Sequence, residues 1–453
     1  MRRYLLPLML TLAACAPASP PDTPTRLAIS DETTLPAMKA FSVPRPERPT
    51  VSNRDLARDV LDLAFSLESG RRLSVFTRFE GPIDVRVIGH APRSLGTDLN
   101  RLIYRLQNEG RVPIRLTGSD QARVTIQAVP RATIRRHLPQ AACFVVPSVR
   151  SLEEYAALGR RHQPSWTTLT TREHVTMVIP SDSTPQELRD CLHEELAQAL
   201  GPLNDLYRLP DSVFNDDNVH TVLTGYDMLV MRVFYDPALR SGMSRAEVSR
   251  RLPAILARIN PAGESLPSHA LATTPRRWIE AVQEALGPGA SPDRRRRAAM
   301  RALQVASAMG WQDHRRGFSH YAMGRVLLSE DPEEARRQFL KADAFFAATP
   351  GTALHRAYVG SQLAAYEISQ NRPDRALMYL GPQLDVAARH ENAALLATLM
   401  LLRAEALDMT GRVSEAREVR LDSLGWARYG FGPDWAVRTK LREIAALNPL
   451  KGV

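Results

Sequence analysis

The stretch CLHEELAQALGPLND, residues 191–205, decides how this chain is read. The residues before it, SDSTPQELRD, supply a helix start. Ser183 or Thr184 can cap the first turn, and Pro185 has the fixed φ that the first helical position accepts. Gly201 closes the helix. His193 and Glu194 stand side by side on it. A histidine at position 197 would put two imidazoles one turn apart with a glutamate between them, an arrangement that holds zinc and activates water. Position 197 is alanine, so that register fails.

Upstream, the periodicity switches between helix and strand. Leu56, Val60, Leu63 and Leu67 recur at helical spacing behind a cap at Ser52 or Asn53. Ile83–Gly89 alternates apolar and polar side chains and reads as a strand, and 94–110 reads as a helix closed by glycine. Four further strands are expected in 112–116, 122–129, 142–149 and 174–180. A mixed layer of strands and helices therefore feeds the one helix that carries the opening stretch.

Shifted by one residue, EELAQALGPLND superposes on the metzincin pattern H-E-x-x-H-x-x-G-x-x-H. Glu194, Gln198 and Asn204 then fall on the three histidines, Glu195 on the catalytic glutamate and Gly201 on the glycine that turns the chain. Downstream, PDSVFNDD (210–217), with Ser212, resembles the turn beneath the zinc of matrixin-type proteases, and Phe214 stands where methionine would be. Residues 223–237, LTGYDMLVMRVFYDP, resemble their final helix. The resemblance implies a metzincin-like α+β domain, a mixed sheet with an active-site-type helix, that lacks all three zinc histidines. Zinc prefers imidazole and thiolate, so one carboxylate and two amides make a weak site and no cofactor is expected. The alternative is an oxygen-seeking divalent metal held by Glu194, Gln198, Asn204 and Asp205, with Glu195 as general base. Failing both, these groups form a polar cluster that holds the helix and its turn. His193 is expected on another face, as a polar surface group. Asp205, Asp216 and Asp217 suit turn-forming roles as well as ligand roles. Residues 162–171 read as a surface loop or a flap over a groove.

In combination, the 191–205 stretch, SVFNDD and MLVMRVFYDP…GMSRAEV (228–248) resemble a family of bacterial lipoproteins catalogued as domain of unknown function 2927. The resemblance spans about residues 70–260. It brings no activity with it.

Beyond about residue 270 the strands vanish and small residues take over. Gly324, Ala364 and Ala404 are forty apart, and Ala335, Ala376 and Ala416 follow each by eleven or twelve. The pattern resembles tetratricopeptide-type helical hairpins with longer loops, in which small residues let paired helices approach; a generic helical bundle is the alternative. Such repeats bind proteins or peptides. The phrases AMGW (308–311) and SLGW (423–426) are expected to mark equivalent helix ends.

The N-terminus, MRRYLLPLMLTLAAC, has two arginines, a short apolar run and small residues before Cys15. The run is too short to span a bilayer and has signal-peptide flanks. Leu12–Cys15 resembles a lipobox, which implies acylation of Cys15 and anchoring to a membrane surface; a plain cleaved signal is the alternative. Ala16 after the cysteine suggests the outer membrane, on its periplasmic side. Cys143 and Cys191 remain, an even pair that reads as a disulfide in an exported protein, or else as two free thiols. The chain has 453 residues and a formal net charge of +10, with lysine only at 39, 341, 440 and 451. That arginine bias fits codon composition, and the run Asp293–Arg297 reads as a solvated helix start, so no nucleic-acid partner is expected.

The expectation is therefore a signal segment over 1–15, a proline-rich tether over 16–51, a metzincin-like domain over 52–262 and all-α tetratricopeptide-like repeats over 270–453. The expected role is a non-catalytic protein-binding or scaffold module of the cell envelope. The alternative is a metal-dependent peptidase that uses Glu195.

Overall fold

The central strands of the sheet are β3, Val124–Val129, and β5, Val175–Pro180. Both are buried along their whole length, and their polar side chains are hydrogen-bonded there: Gln127 donates to Glu153 and accepts from the Leu152 amide, and Thr176 donates to the Val149 carbonyl. β1 (Ile83–Gly89) lies between β3 and the short edge strand β2 (Ile114–Leu116), and β4 (Phe144–Pro147) forms the other edge. The order is β2-β1-β3-β5-β4. All neighbours run parallel except β4, which pairs antiparallel with β5 through Phe144 and Val178. Gly89 ends β1 at φ +84°, where a Cβ would stand 2.2 Å from the Ala128 carbonyl oxygen, so the position tolerates only glycine.

The computed structural model describes residues 35–41, 46–159 and 164–451. Cys15 and the signal segment lie outside them, as do residues 162–163 of the flap stretch. Helices α1 (Asn53–Ala64) and α2 (Arg93–Asn108) form where the spacing predicts, α1 with Ser52 as its cap, although α1 stops short of Leu67. The short helices α3 (Arg131–His137) and α4 (Leu152–Ala157) were not foreseen. α5, Pro185–Leu200, follows β5 directly, with the Thr184 hydroxyl accepting from the Glu187 amide. α6 (Gly225–Phe234) and α7 (Arg245–Ile259) complete the α/β part, and α7 packs on α1.

From Arg276 on, the described chain is helical: α8 (Arg276–Leu286), α9 (Pro292–Ala308), α10 (His314–Leu327), α11 (Pro332–Ala347), α12 (Ala353–Ser369), α13 (Pro373–Leu380), α14 (Gln383–Arg389), α15 (Ala393–Met409), α16 (Val413–Phe431) and α17 (Asp434–Ala445). Gly324, Ala364 and Ala404 sit on α10, α12 and α15, and Ala335, Ala376 and Ala416 on α11, α13 and α16; all six are buried. A Cβ at Gly324 would stand 2.6 Å from the Phe339 ring of the neighbouring helix, so the small residue is what lets α10 and α11 touch. The region is helical-repeat-like, as the period implies.

Ala37–Val453 forms one compact unit. α5 is covered on every side, by β4, β5 and α2 and by α16 of the helical region. Residues 37–41 and 46–51, read above as tether, are laid against this unit. Phe41 stacks on Trp426 at 4.5 Å, the Lys39 amide donates to the Gly425 carbonyl at 3.1 Å, and a Cβ at Gly225 would stand 2.1 Å from the Glu47 carbonyl oxygen. This strap corrects one expectation. Ala308 does end α9, but SLGW lies inside α16, where Gly425 makes room for Lys39 and Trp426 receives Phe41. Among the described residues no helix is long and apolar enough to cross a membrane.

Candidate functional site

Gly201 ends α5 at φ −173° and ψ −78°, and a Cβ there would meet the Phe234 ring at 2.5 Å. The free carbonyls of the helix end are taken by Arg172, whose guanidinium donates to Gln198, Ala199 and Gly201 oxygens at 2.5–2.7 Å. Complete burial lowers this arginine to about 10. The Cys143–Cys191 disulfide ties the start of β4 to the same helix.

Beneath the helix, the Ser212 hydroxyl donates to Asp227 Oδ1 at 2.5 Å and accepts from the Phe214 amide at 2.9 Å. The Val213 amide donates to Asp227 Oδ2 at 3.1 Å. Phe214 is 1 % exposed and belongs to the α/β core. Asp227 also closes the capping box of α6, so one buried carboxylate fixes both the turn and the final helix. Burial, resisted by these hydrogen bonds, raises it to about 6.

The residues on the three histidine positions do not converge on one point. The Asn204 amide donates to the Asp62 carbonyl at 3.0 Å. The Gln198 amide donates to Glu68 Oε1 at 3.2 Å. Glu68, at the exposed rim, gathers Gln198 and Asp205, with Glu194 close by. Glu195 is buried, and its Oε2 has no hydrogen-bond partner. Burial and then the charge of Glu68 raise Glu194 to about 7. Burial and then the charges of Glu194 and Glu68 push Glu195 well above the usual carboxylate range, and Asp205 is raised in the same way. With two of the three groups aiming amide hydrogens at oxygens, and no imidazole or thiolate among them, these residues do not fit zinc.

His193 is corrected. It is buried, and its Nδ1 accepts from the Leu223 amide at 3.0 Å. The surface assignment assumed a solvated face, and α5 has none there.

The sequence did not single out Glu68, nor the groups of the helical region that pack beside it. Gln283 of α8 donates to Asp216 at 2.8 Å, Arg276 donates to the Glu68 carbonyl at 2.9 Å, and the Tyr207 and Trp278 rings pack edge to face at 5.1 Å. Further along this seam lies a run of histidines. His314 Nε2 is 2.7 Å from the Tyr207 carbonyl oxygen, and His355 Nε2 is 2.8 Å from Asp217. Ring centroids step from His314 to His355 at 6.3 Å, on to His220 at 6.2 Å and to His390 at 5.2 Å. Burial lowers His220 and His314 to about 4 and His390 to about 3, so these imidazoles are neutral near pH 7. Asp211, His220 and His390 form a group able to hold a metal ion. Asp211 and His220 share one loop, but His390 lies far along the chain, and no spacing motif joins it to them.

Residues 53–254 match a family model described as "Protein of unknown function (DUF2927)", and the helices from Arg276 on lie outside that match. No curated protein and no solved structure matches the chain.

Proposed function

We propose that this chain is a non-catalytic recognition or scaffold protein of the cell envelope. In this reading the α/β part, about residues 52–262, is a metzincin-like domain without its zinc site, and residues 270–453 are tetratricopeptide-like repeats that bind a protein or peptide. Acyl chains on Cys15 would hold it to the outer membrane on the periplasmic side, an inference that rests on residues 1–16 alone. The mixed sheet, the helix that follows β5 and the serine-anchored turn below it favour the metzincin-like reading. The six buried small residues on paired helices favour the repeats.

One observation carries the non-catalytic assignment. The segment from Asn204 to His220 would border an active cleft, and here its polar groups are spent on packing: Asn204 on Asp62, Asp216 on Gln283, Asp217 on His355. The alternative, a metal-dependent peptidase with Glu195 as general base, needs an ionised Glu195 near pH 7. Its burial beside Glu194 and Glu68 works against the ionised form, raising it well above the ordinary carboxylate range.

The test is proteolysis. The purified chain and Glu195→Gln are incubated with unfolded casein and a fluorogenic peptide library, with divalent metals added. The expected result is no cleavage above background from either. Cleavage that disappears in Glu195→Gln would overturn the scaffold reading in favour of the peptidase.

A further inference from the structure

The run of histidines in the seam ends in a group with the chemistry of a transition-metal centre. Asp211 and His220 come from the loop between α5 and α6, and His390 directly follows α14 of the helical region. One ligand atom from each lies within 4.8 Å of the others. His220 Nε2 is 3.7 Å from Asp211 Oδ1. Two ligands on a tetrahedral zinc with bonds of 2.0–2.1 Å stand about 3.4 Å apart, so small side-chain movements close the triad. The Pro210 carbonyl oxygen, 3.0 Å from His220 Nε2, adds an oxygen donor on the same side.

The surroundings suit a cation. A cavity of about 40 Å³ borders the group and is lined by Asp211, His390 and Glu47. Three carboxylates, with Glu391 the third, therefore line this space, set against Arg105 and Arg389 in the same lining. Arg389 already pairs with Glu47 at 3.2 Å, and Arg105 with Glu109 at 2.8 Å. Two imidazoles with one carboxylate form a borderline donor set. It suits zinc, cobalt or nickel and is too nitrogen-rich for calcium or magnesium.

We propose that Asp211, His220 and His390 bind one divalent ion of the zinc class, which clasps the α5–α6 loop to the helical region. The site is separate from the Glu194–Asn204 stretch and stands whether or not the scaffold reading does. In the metal-free protein the Nε2–H of His220 donates to the Pro210 carbonyl. Binding moves that proton to Nδ1 and leaves the Nε2 lone pair on the metal, with no net change in charge on the ring.

The test uses the full chain, expressed without a histidine tag, stripped with chelator and titrated with Zn²⁺ by calorimetry and with Co²⁺ by absorption. The expected result is one ion per chain, a tetrahedral Co²⁺ spectrum and a rise in the thermal midpoint with Zn²⁺. Loss of a group that only hydrogen-bonds to a metal ligand already weakens metal sites about 10- to 100-fold, so His390→Gln and Asp211→Asn should each weaken binding by at least about 100-fold. Gln198→Ala should bind as the parent does. Absence of stoichiometric binding to the parent chain overturns the proposal, as does unchanged affinity in both His390→Gln and Asp211→Asn. If either variant fails to fold, the parent's Co²⁺ spectrum decides: nitrogen–oxygen tetrahedral absorption supports the site and a hydrated-ion spectrum overturns it.

Discussion

Arg189 of α5 and Glu391, in the turn between α14 and α15, form an ion pair at 2.9 Å with side chains 2 % and 8 % exposed. Arg189 also donates to the Glu391 carbonyl and lies between the rings of Phe41 and Tyr429, at 5.2 and 5.1 Å. Glu391 itself sits in the left-handed region, φ 53°. Beside this pair, Gln186 exchanges hydrogen bonds with Asn392 and the Ala394 amide. The N-terminal half of the motif helix is thus bolted to the helical region. Removing one partner of a buried pair leaves the other charge uncompensated, so Glu391→Ala should cost about 3–5 kcal/mol. Urea unfolding of parent and variant measures it, and a loss below about 1 kcal/mol would mean the pair is not sealed from water.

Gly201→Ala isolates a steric effect. The new methyl would stand 2.5 Å from the Phe234 ring. Overpacking of this kind costs about 1–3 kcal/mol. Phe234→Leu in the same background should recover part of that loss, because the two residues touch. Strictly additive losses in the double variant would show that the helix end is held by something else.

Glu194 gives the protein a pH signature. Its ordinary value is 4.5, and burial beside Glu68 raises it to about 7 in the folded chain. The folded state therefore holds this proton more tightly than the unfolded one. The associated stability is complete below the unfolded value and is lost as pH rises towards 7. Glu194→Gln removes the titration while keeping the shape, so its thermal midpoint should fall less than the parent's between about pH 5 and about pH 8. Parallel profiles would show that the carboxyl is solvated.

The disulfide closes a loop with a sequence separation of 48 residues. Cutting it with paired Cys143→Ser and Cys191→Ser substitutions should lower stability by roughly 3–4 kcal/mol, chiefly by freeing the unfolded chain. Denaturant midpoints with and without reductant test the same point, and the double variant should be insensitive to reductant.

Local signals carried most of the fold. The five strands were legible because their runs are rich in valine and isoleucine and because proline and glycine punctuate them. The start of α5 was legible because Thr184 and Pro185 suit only the first turn. The repeat period was legible because a helix pair in contact accepts only small residues at the crossing. What escaped was convergence. Glu68 meets Gln198 and His390 meets His220 only after the chain has folded back on itself, and no spacing records that. His193 was misread because its face of α5 is covered, and SLGW was misread as a helix end because Gly425 makes room for the Lys39–Phe41 strap within α16.

The loop between α5 and α6 serves three hydrophobic cores at once. Phe214 enters the α/β core, Tyr207 the one built around Trp278, and Val219 the one around Leu399. A segment shared in this way makes the two regions a single cooperative folding unit, and calorimetry should record one transition. It also limits how such a chain can evolve. Residues 53–254 cannot be lifted out as a cassette, because the excised piece would expose Tyr207 and Val219 to water. A relative that carries that segment without these helices has to recolour both positions with polar side chains.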